Sequence, residues 1–367
     1  MCSAFTGRSE EKVLRANDWL LCVAERTRSP RYGSLQAHWP SAVLIVNGLL
    51  TTVDGTLDLQ HAMFKELMGN RLAIAPIDTI PLHNVLDIAT GKLYPSKFGV
   101  NKAEPQTQVP GYGRLNSVLQ SNFHTKIAVQ ATYKQSSADT HPSTHVIGTD
   151  LSPIQPSHVP PNCTFEIDDA EDEWLFNIPF SYIHARAVLS CFKDPLQVIR
   201  SAYKALSPGG ILEFQDPEFP FNFADPQPPE DSPFARWQKL IVEAGEKSGR
   251  RLTNTKRYKE FFEQAGFVDV HIEKFFIPTG PWHEDKRLRM IGAWQLENWL
   301  EAVEAITPRN LGRLGWEIEE SKVLAAQVRD EFINGKIKPY CDFWCVWARK
   351  QELEAKDVED SGGKAAA

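Results

Sequence analysis

Aspartates stand at the ends of three short apolar segments of the chain. Asp87 lies near the end of "NVLDI", and Asp150 closes "HVIGTD". Asp168 and Asp169 directly follow "CTFEI". Short apolar segments of this length are typical of buried strands, and an open parallel sheet binds ligands beyond the carboxyl ends of its strands. Carboxylates at that edge can accept hydrogen bonds from ribose hydroxyls and from the exocyclic amine of adenine. The series predicts a site for an adenosine-containing ligand, while each aspartate taken singly also suits a helix N-cap.

Small residues follow the first of these acids. Ala89 and Gly91 come directly after it, as expected where the backbone must approach a ligand closely. A nicotinamide-dependent oxidoreductase would continue with further glycines and place its ribose-binding acid about 20 residues later. Here "KLYPSKFG" follows instead, and Asp150 lies much farther along the chain. The oxidoreductase is therefore the weaker interpretation.

The elements that must position these acids follow from the pattern of the chain. From residue 144, strand-like segments alternate with helical ones, which is typical of a parallel sheet with helices on both faces. "DPLQVIRSAYKAL" is a predicted helix with Asp194 as its N-cap and Pro195 at its first position. "VDVHIEKFFI" and "CDFWCVWARK" are predicted late strands. His184, near the end of "PFSYIHA", is then placed at the same edge as the acids.

The chain divides into a main domain with flanking segments. Residues 1–56 have weak periodicity, which predicts a helical or irregular N-terminal extension. The main domain spans 57–349. Within it, 92–141 is punctuated by prolines and polar residues and is predicted to be an insertion or disordered. Residues 217–335 hold the predicted lid, where "DPEFPFNFADPQPPEDSP" suits an apolar cover. A polar tail, 350–367, is predicted to be disordered.

Composition narrows the classes of partner. The 367 residues are 42% hydrophobic and 24% charged, as in an ordinary globular protein. A net charge of -7 argues against nucleic acid as the main partner. No apolar run is long enough to cross a bilayer and no signal peptide is recognisable, so we predict a cytoplasmic protein without membrane association. The six cysteines include no CxxC pair, and we expect reduced, buried thiols rather than a metal site or disulfides.

Several longer motifs together resemble one family. "VLDIATG", "HVIGTDLSPIQPSHVPPNCTFEIDDAEDEWLF", "FSYIHAR" and "AYKALSPGGILEFQD" are similar, in order and spacing, to the fungal class I S-adenosylmethionine-dependent methyltransferases of the LaeA-like type. The resemblance covers about residues 57–349 apart from 92–141. It implies an α/β fold with a Rossmann-like, mostly parallel sheet of seven strands, a reversed last strand and helices on both faces. It also implies S-adenosyl-L-methionine as the cofactor and a small-molecule methyl acceptor in fungal secondary metabolism.

The resemblance also implies roles for single residues. His184 and Arg186 follow the fourth strand and face the methyl donor and substrate in this architecture. His184 is the first candidate for a catalytic base and His283 the second, with a structural histidine as an equal alternative for His184. For Arg186 an internal salt bridge is favoured over catalysis. Cofactor contacts are assigned by motif to Asp87, Ala89 and Gly91 (methionine portion), Asp150 (ribose), and Leu151, Asp168, Asp169 and Ala170 (adenine).

The fifth strand carries two further polar residues. Glu213 and Gln215 are predicted to have structural roles at the end of that strand.

The family's link to the control of secondary metabolism leaves a non-catalytic regulatory protein as the alternative hypothesis. Such a protein would keep the fold, have a protein partner and suit a nuclear location. Cofactor binding discriminates between the two hypotheses.

The first motif is interrupted directly after its glycine. The family continues with small residues into a helix, whereas this chain has Lys92, Leu93, Tyr94 and Pro95. Gly-Lys can be encoded by GGTAAG, which contains a typical fungal splice donor, so we hypothesise that residues 92–126 are a translated intron. A genuine loop is the alternative. Either way, the interruption is expected to weaken cofactor binding, because a helix N-terminus that would hold the cofactor carboxylate is displaced.

Overall fold

The computed structural model describes residues 44–46, 49–51, 56–89, 143–151, 160–224, 227–334 and 337–352. Predictions made for 92–141, for residue 91 and for most of the tail lie outside these ranges.

The described chain is built around one large mixed sheet. Its strands are β3 (Asn84–Ile88), β4 (His145–Asp150), β5 (Cys163–Ile167), β6 (Phe180–Arg186), β7 (Leu206–Pro217), β8 (Asn222–Ala224), β9 (Val268–Pro278) and β10 (Lys338–Arg349). Strands run in the order β5-β4-β3-β6-β7-β10-β8, and β9 also pairs with β10. The pairs from β5 to β7 are parallel, whereas β10 is antiparallel to each of its neighbours. The strand order changes direction at β3, where an open sheet of this kind binds its ligands.

Six α-helices accompany the sheet within the described residues. They are α1 (Thr56–Leu67), α2 (Pro195–Ala205), α3 (Pro233–Lys247), α4 (Tyr258–Ala265), α5 (Lys286–Arg313) and α6 (Ile318–Asn334). Helix α2 begins as the sequence predicts, since the side chain of Asp194 accepts a hydrogen bond from the Gln197 amide at 3.1 Å. None of the described helices is both long and apolar enough to span a bilayer.

The predicted fold class is confirmed, with one addition. The sheet has eight strands rather than seven because β8, only three residues long, pairs with the first residues of β10. The expectation of a helical or irregular segment before residue 57 is wrong in its described part. Strands β1 (Leu44–Val46) and β2 (Leu49–Thr51) form an antiparallel pair there. Asn-Gly between two apolar runs is a strong hairpin signal that the weak overall periodicity concealed.

Helix α1 and the residue after it pack on one face of the sheet at β10. The Phe64 ring stacks on Phe343 with centroids 4.3 Å apart, and the Met68 sulfur lies 3.8 Å from that of Cys345. These four side chains are buried in one apolar cluster with parts of α3, α5 and α6. Burial of apolar surface therefore holds α1 over the strand ends that carry the predicted site.

The segment after α1 is fixed to the sheet by a buried carboxylate. Glu213 on β7 is fully buried and accepts hydrogen bonds from the amides of Ile74 and Ala75 at 2.9 and 3.1 Å. It also accepts from the Tyr182 hydroxyl at 2.8 Å and from the Gln215 amide at 2.8 Å. Four donors balance the loss of hydration of this carboxylate. The predicted structural role of Glu213 agrees with these contacts.

We expect Glu213→Gln to lower the free energy of unfolding by about 2–4 kcal/mol, because an amide N–H would then face backbone N–H donors that need an acceptor. Urea unfolding followed by circular dichroism measures the change. Glu166→Gln, at an exposed position on β5, is the matched control and should change the value by less than about 0.5 kcal/mol. Equal stability of the two variants would contradict an anchoring role for Glu213.

Candidate active site

Asp87 and His184 are joined by a buried hydrogen bond. They are register partners on the adjacent parallel strands β3 and β6, and Asp87 Oδ1 lies 2.7 Å from His184 Nδ1. Their side chains are only 6% and 1% exposed. The carboxylate accepts and Nδ1–H donates, which leaves Nε2 as the nitrogen able to take a proton. An imidazole oriented by a carboxylate in this way is the arrangement of a general base and its positioning group.

The next strand places an acid and an apolar side chain side by side. Asp150, the last residue of β4, is 2% exposed, whereas Leu151 directly after it is 48% exposed. The backbone oxygen of Asp150 accepts a hydrogen bond from the Asp168 amide at 3.1 Å. The structure therefore brings the predicted ribose and adenine segments together. It also leaves an apolar surface beside them on which a flat ring can pack.

The predicted adenine segment is partly engaged in its own turn. One oxygen of Asp169 accepts from the Glu171 amide at 2.9 Å, and the carbonyl of Ala170 accepts from the Trp174 indole at 3.0 Å. Asp168, Asp169 and Ala170 are all half-buried. The segment is thus held in place by local hydrogen bonds while its side chains keep contact with solvent.

Both strands of the Asp87–His184 pair end in alanines with left-handed backbone. Ala89 after β3 has φ 54° and Ala187 after β6 has φ 57°. A side chain in this conformation is disfavoured by about 1–2 kcal/mol, and such strain is often found beside functional sites. The two strained alanines therefore lie at the same edge of the sheet as the acids. Gly91, the third residue assigned to the first motif, lies outside the described residues.

Arg186 contacts a histidine of α1. Its Nη2 lies 2.7 Å from His61 Nδ1, and its guanidinium lies 5.8 Å from the centre of the Phe64 ring. Burial lowers the pKa of His61 well below its ordinary value, and the charge of Arg186 lowers the pKa further. His61 is therefore a neutral imidazole at the carboxyl edge of the sheet.

Gln215 and His283 are the remaining candidates from the sequence. Gln215 is a register partner of Arg186 and donates to the Leu72 carbonyl at 3.2 Å, in keeping with the predicted structural role. His283 lies in the turn before α5, where its Nδ1 accepts from the Asp285 amide at 3.1 Å and its ring contacts Phe276 and Trp282. No described contact joins His283 to the Asp87–His184 pair.

A second buried acid follows Gln215 on β7. Asp216 is fully buried and accepts hydrogen bonds from the Tyr258 hydroxyl at 2.5 Å and from the Leu189 amide at 3.0 Å. Burial raises the pKa of Asp216 from about 3.8 to about 7, against the opposing effect of these hydrogen bonds. The acid holds the segment after β6 against α4, and so supports the strand end that carries His184.

The model of the methyltransferase domain family matches residues 59–272, which is more than half of the chain. The chain belongs to the methyltransferase domain family. The match contains the Asp87–His184 pair, Asp150, Asp168, Asp169 and the predicted insertion 92–141.

Fungal proteins are among the relatives of this methyltransferase-domain chain. It is 32% identical to methyltransferase pytC of Aspergillus terreus over 296 residues, covering 80% of this chain and 79% of that protein. It is 26% identical to the probable methyltransferase tdiE of Emericella nidulans over 343 residues, covering 93% and 96%. It is also 30% identical to the secondary metabolism regulator laeA of Aspergillus fumigatus over 217 residues, covering 58% of each. The predicted resemblance to the LaeA-like family is confirmed.

Solved structures of methyltransferases are also matched. Phosphoethanolamine N-methyltransferase 2 of Haemonchus contortus, in complex with S-adenosyl-L-methionine, has 17% sequence identity and a TM-score of 0.35, covering 80% of this chain and 57% of that one. A putative methyltransferase of Bacillus halodurans has 16% identity and a TM-score of 0.36, covering 79% and 98%.

Two residues of the site were missed by sequence reasoning. His61 interrupts the apolar pattern of "LDLQHAMF", and that interruption was the available signal. Its contact with Arg186 joins residues 125 apart in the chain, so no local pattern predicts it. Asp216 follows Gln215 directly but gave no separate signal, because an acid at a strand end also suits solvent exposure.

The raised pKa of Asp216 predicts a specific dependence of stability on pH. Between about pH 4 and pH 7 the folded protein binds a proton at Asp216 that the unfolded chain does not, so this group loses stabilising effect as the pH rises. Asp216→Asn mimics the protonated acid. We expect the free energy of unfolding of wild type, relative to the variant, to fall by about 4 kcal/mol across this window.

Urea unfolding at several pH values measures this difference, and subtracting the variant removes the contributions of other groups such as His61. A difference between the two proteins that is constant with pH would contradict the raised pKa.

Proposed function

We propose that this protein transfers a methyl group from S-adenosylmethionine to a small-molecule acceptor, with His184 as the base. The observation that carries the proposal is the 2.7 Å hydrogen bond between Asp87 and His184. It leaves a basic nitrogen at the carboxyl edge of the sheet, in a chain that belongs to a methyltransferase family. The relatives pytC and tdiE are named as a methyltransferase and a probable methyltransferase.

The residues at the sheet edge fit S-adenosylmethionine. Asp150 offers a buried carboxylate for the ribose hydroxyls, and exposed Leu151 offers an apolar surface for the adenine. Asp168 and Asp169 lie beside them, with one oxygen of Asp169 already engaged. Ala89 turns the backbone sharply at the end of β3, where the methionine portion is assigned. These residues come from segments that are already in contact, because β4 pairs with β3 and the Asp168 amide donates to the Asp150 carbonyl. These contacts limit the ordering that binding requires.

The chain's own residues supply orientation and proton transfer. When bound, S-adenosylmethionine would supply an electrophilic methyl group whose C–S bond breaks with both electrons remaining on sulfur, while the acceptor loses a proton. His184 takes that proton at Nε2, and Asp87 stabilises the imidazolium that results. Burial of the pair excludes water. The hydrogen bond to Asp87 holds the imidazole in one orientation before the acceptor arrives.

A regulatory protein remains the second candidate function. It is favoured by the similarity to laeA, which is named a secondary metabolism regulator, and by the interruption of the first motif after Gly91. In this case the fold serves to bind a protein partner, and a nuclear location is expected instead of a cytoplasmic one. The similarity to pytC is higher and covers more of the chain, so we place a fungal secondary-metabolite methyltransferase first.

Cofactor binding tests the assignment of Asp150. We expect Asp150→Asn to weaken the binding of S-adenosylhomocysteine by about ten- to 150-fold, which corresponds to the loss of about 1.5–3 kcal/mol for charged hydrogen bonds. Isothermal titration calorimetry measures the affinity. Asp330→Asn, at an exposed site on α6, is the control and should bind like wild type. An unchanged affinity in Asp150→Asn would remove this residue from the cofactor site.

Turnover tests the assignment of His184. Glutamine at this position can still donate to Asp87 but cannot take a proton, so we expect His184→Gln to lower turnover by about 10²- to 10⁴-fold. The affinity for S-adenosylhomocysteine should stay close to that of wild type. Transfer of a tritiated methyl group to metabolites extracted from a fungal culture provides the assay.

The matched control for this experiment is His83→Gln, because His83 is exposed just before β3, at the opposite edge of the sheet. Equal turnover of His184→Gln and wild type would leave His184 with a structural role only. Binding of S-adenosylhomocysteine without any transfer by wild type would favour the regulatory candidate.

A further inference from the structure

The adenine segment, residues 168–170, belongs to neither a strand nor a helix. Its shape therefore depends on hydrogen bonds to its neighbours. At its start the Asp168 amide donates to the Asp150 carbonyl at 3.1 Å, which ties the segment to β4. Within it, Asp169 Oδ1 accepts from the Glu171 amide at 2.9 Å. These bonds fix the start and the turn of the segment, and the position of its other end depends on Glu171.

Glu171 ties that end to the N-terminus of α2. Its Oε1 accepts hydrogen bonds from the amides of Lys193 and Asp194 at 2.6 and 3.0 Å. These two residues directly precede α2, where a negative charge is favoured by the helix dipole. The side chain of Asp194 caps the helix at the Gln197 amide, so the carboxylate of Glu171 serves two amides that this cap does not reach.

The other oxygen of Glu171 faces a guanidinium. Oε2 lies 3.5 Å from Arg250 Nη1, which also donates to the Cys191 carbonyl. The side chains of Glu171 and Arg250 are 21% and 31% exposed. An ion pair of this length and exposure contributes little free energy, so the two amide bonds are the stronger contacts of Glu171.

One side chain therefore joins two parts of the proposed site. Residues 168–170 form the adenine side, and residues 187–194 continue from β6, the strand that carries His184. Asp216 holds the first part of 187–194 through the Leu189 amide at 3.0 Å, and Glu171 holds its end. A role confined to stabilising α2 would affect unfolding and leave cofactor affinity unchanged, so experiment can separate the two roles.

We propose that Glu171 is a positioning residue for S-adenosylmethionine, which holds the adenine segment in its binding conformation before the cofactor arrives. This inference rests on the proposed function, because the assignment of 168–170 to adenine belongs to it. Without the two amide bonds the segment samples other conformations. The apparent dissociation constant then rises by the inverse of the fraction that is competent to bind.

Substitutions of Glu171 separate its two kinds of contact. Glu171→Ala removes both, and we expect it to weaken binding of S-adenosylhomocysteine about ten-fold, as for a competent fraction of about one tenth. Glu171→Gln keeps an oxygen that accepts from the amides of Lys193 and Asp194 and loses only the ion pair with Arg250. Its affinity should therefore stay within about three-fold of wild type.

Calorimetry on the folded variants measures these affinities. Glu173→Ala, at an exposed acid two residues farther on, is the matched control and should bind like wild type. 5′-Methylthioadenosine lacks the amino-acid end of the cofactor. Glu171→Ala should weaken its binding by the same factor, because the change acts on the adenine side.

Hydrogen exchange gives a second readout that does not depend on a variant. Saturating wild type with S-adenosylhomocysteine should slow exchange of the Lys193 and Asp194 amides, because order gained in the adenine segment reaches them through Glu171. In Glu171→Ala this slowing should be lost.

Three results would overturn the proposal. They are equal affinity of wild type and folded Glu171→Ala, unchanged exchange at Lys193 and Asp194 on saturation of wild type, and a loss of affinity in Glu171→Gln as large as in Glu171→Ala. The first two would leave Glu171 as a stabiliser of α2, and the third would move the effect to the ion pair. The wild-type exchange decides the question even where Glu171→Ala fails to fold. Failure of wild type to bind S-adenosylhomocysteine would instead overturn the proposed function and this inference with it.

Discussion

The buried carboxylate of Glu213 fixes the position of the segment after α1 and, through that segment, the position of His61. It is fully buried in β7, so it must be given donors, and two of them are backbone amides of the segment after α1. That requirement fixes where the segment crosses the sheet. Helix α1, directly before it, is then held over β10 by apolar contacts. The position of His61 above Arg186 follows from this placement.

Two aspartates of the sheet show how the surroundings decide the use of a carboxyl group. Asp87 accepts from an imidazole, which can itself carry a charge, and the pair is suited to moving a proton. Asp216 is surrounded by the Tyr258 hydroxyl and backbone amides, and burial favours its protonated form. The first belongs to the proposed catalytic pair. The second holds the end of β6 in position.

Much of the fold could be predicted from the sequence because its signals are local. The alternation of strands and helices and the cap at Asp194 depend on neighbouring residues, and both are present. The acids at strand ends were predicted for the same reason. The reversed last strand was implied by the family resemblance and is present too. The bond between Asp87 and His184 was not predicted, because it joins residues 97 apart and depends on which strands lie side by side. The short pair β1 and β2 was missed because three residues on each side give little periodicity.

The bonds from Ile74 and Ala75 to Glu213 also govern the order in which the molecule can form during synthesis. The Ile74 bond spans 139 residues, and all five parallel strands lie within or beside that interval. Helix α1 leaves the ribosome early but finds its buried surface only after β10 has been made. Contacts of such long range slow folding. Until then the apolar face of α1 is exposed, and such exposed surface favours binding of a chaperone to α1 during synthesis.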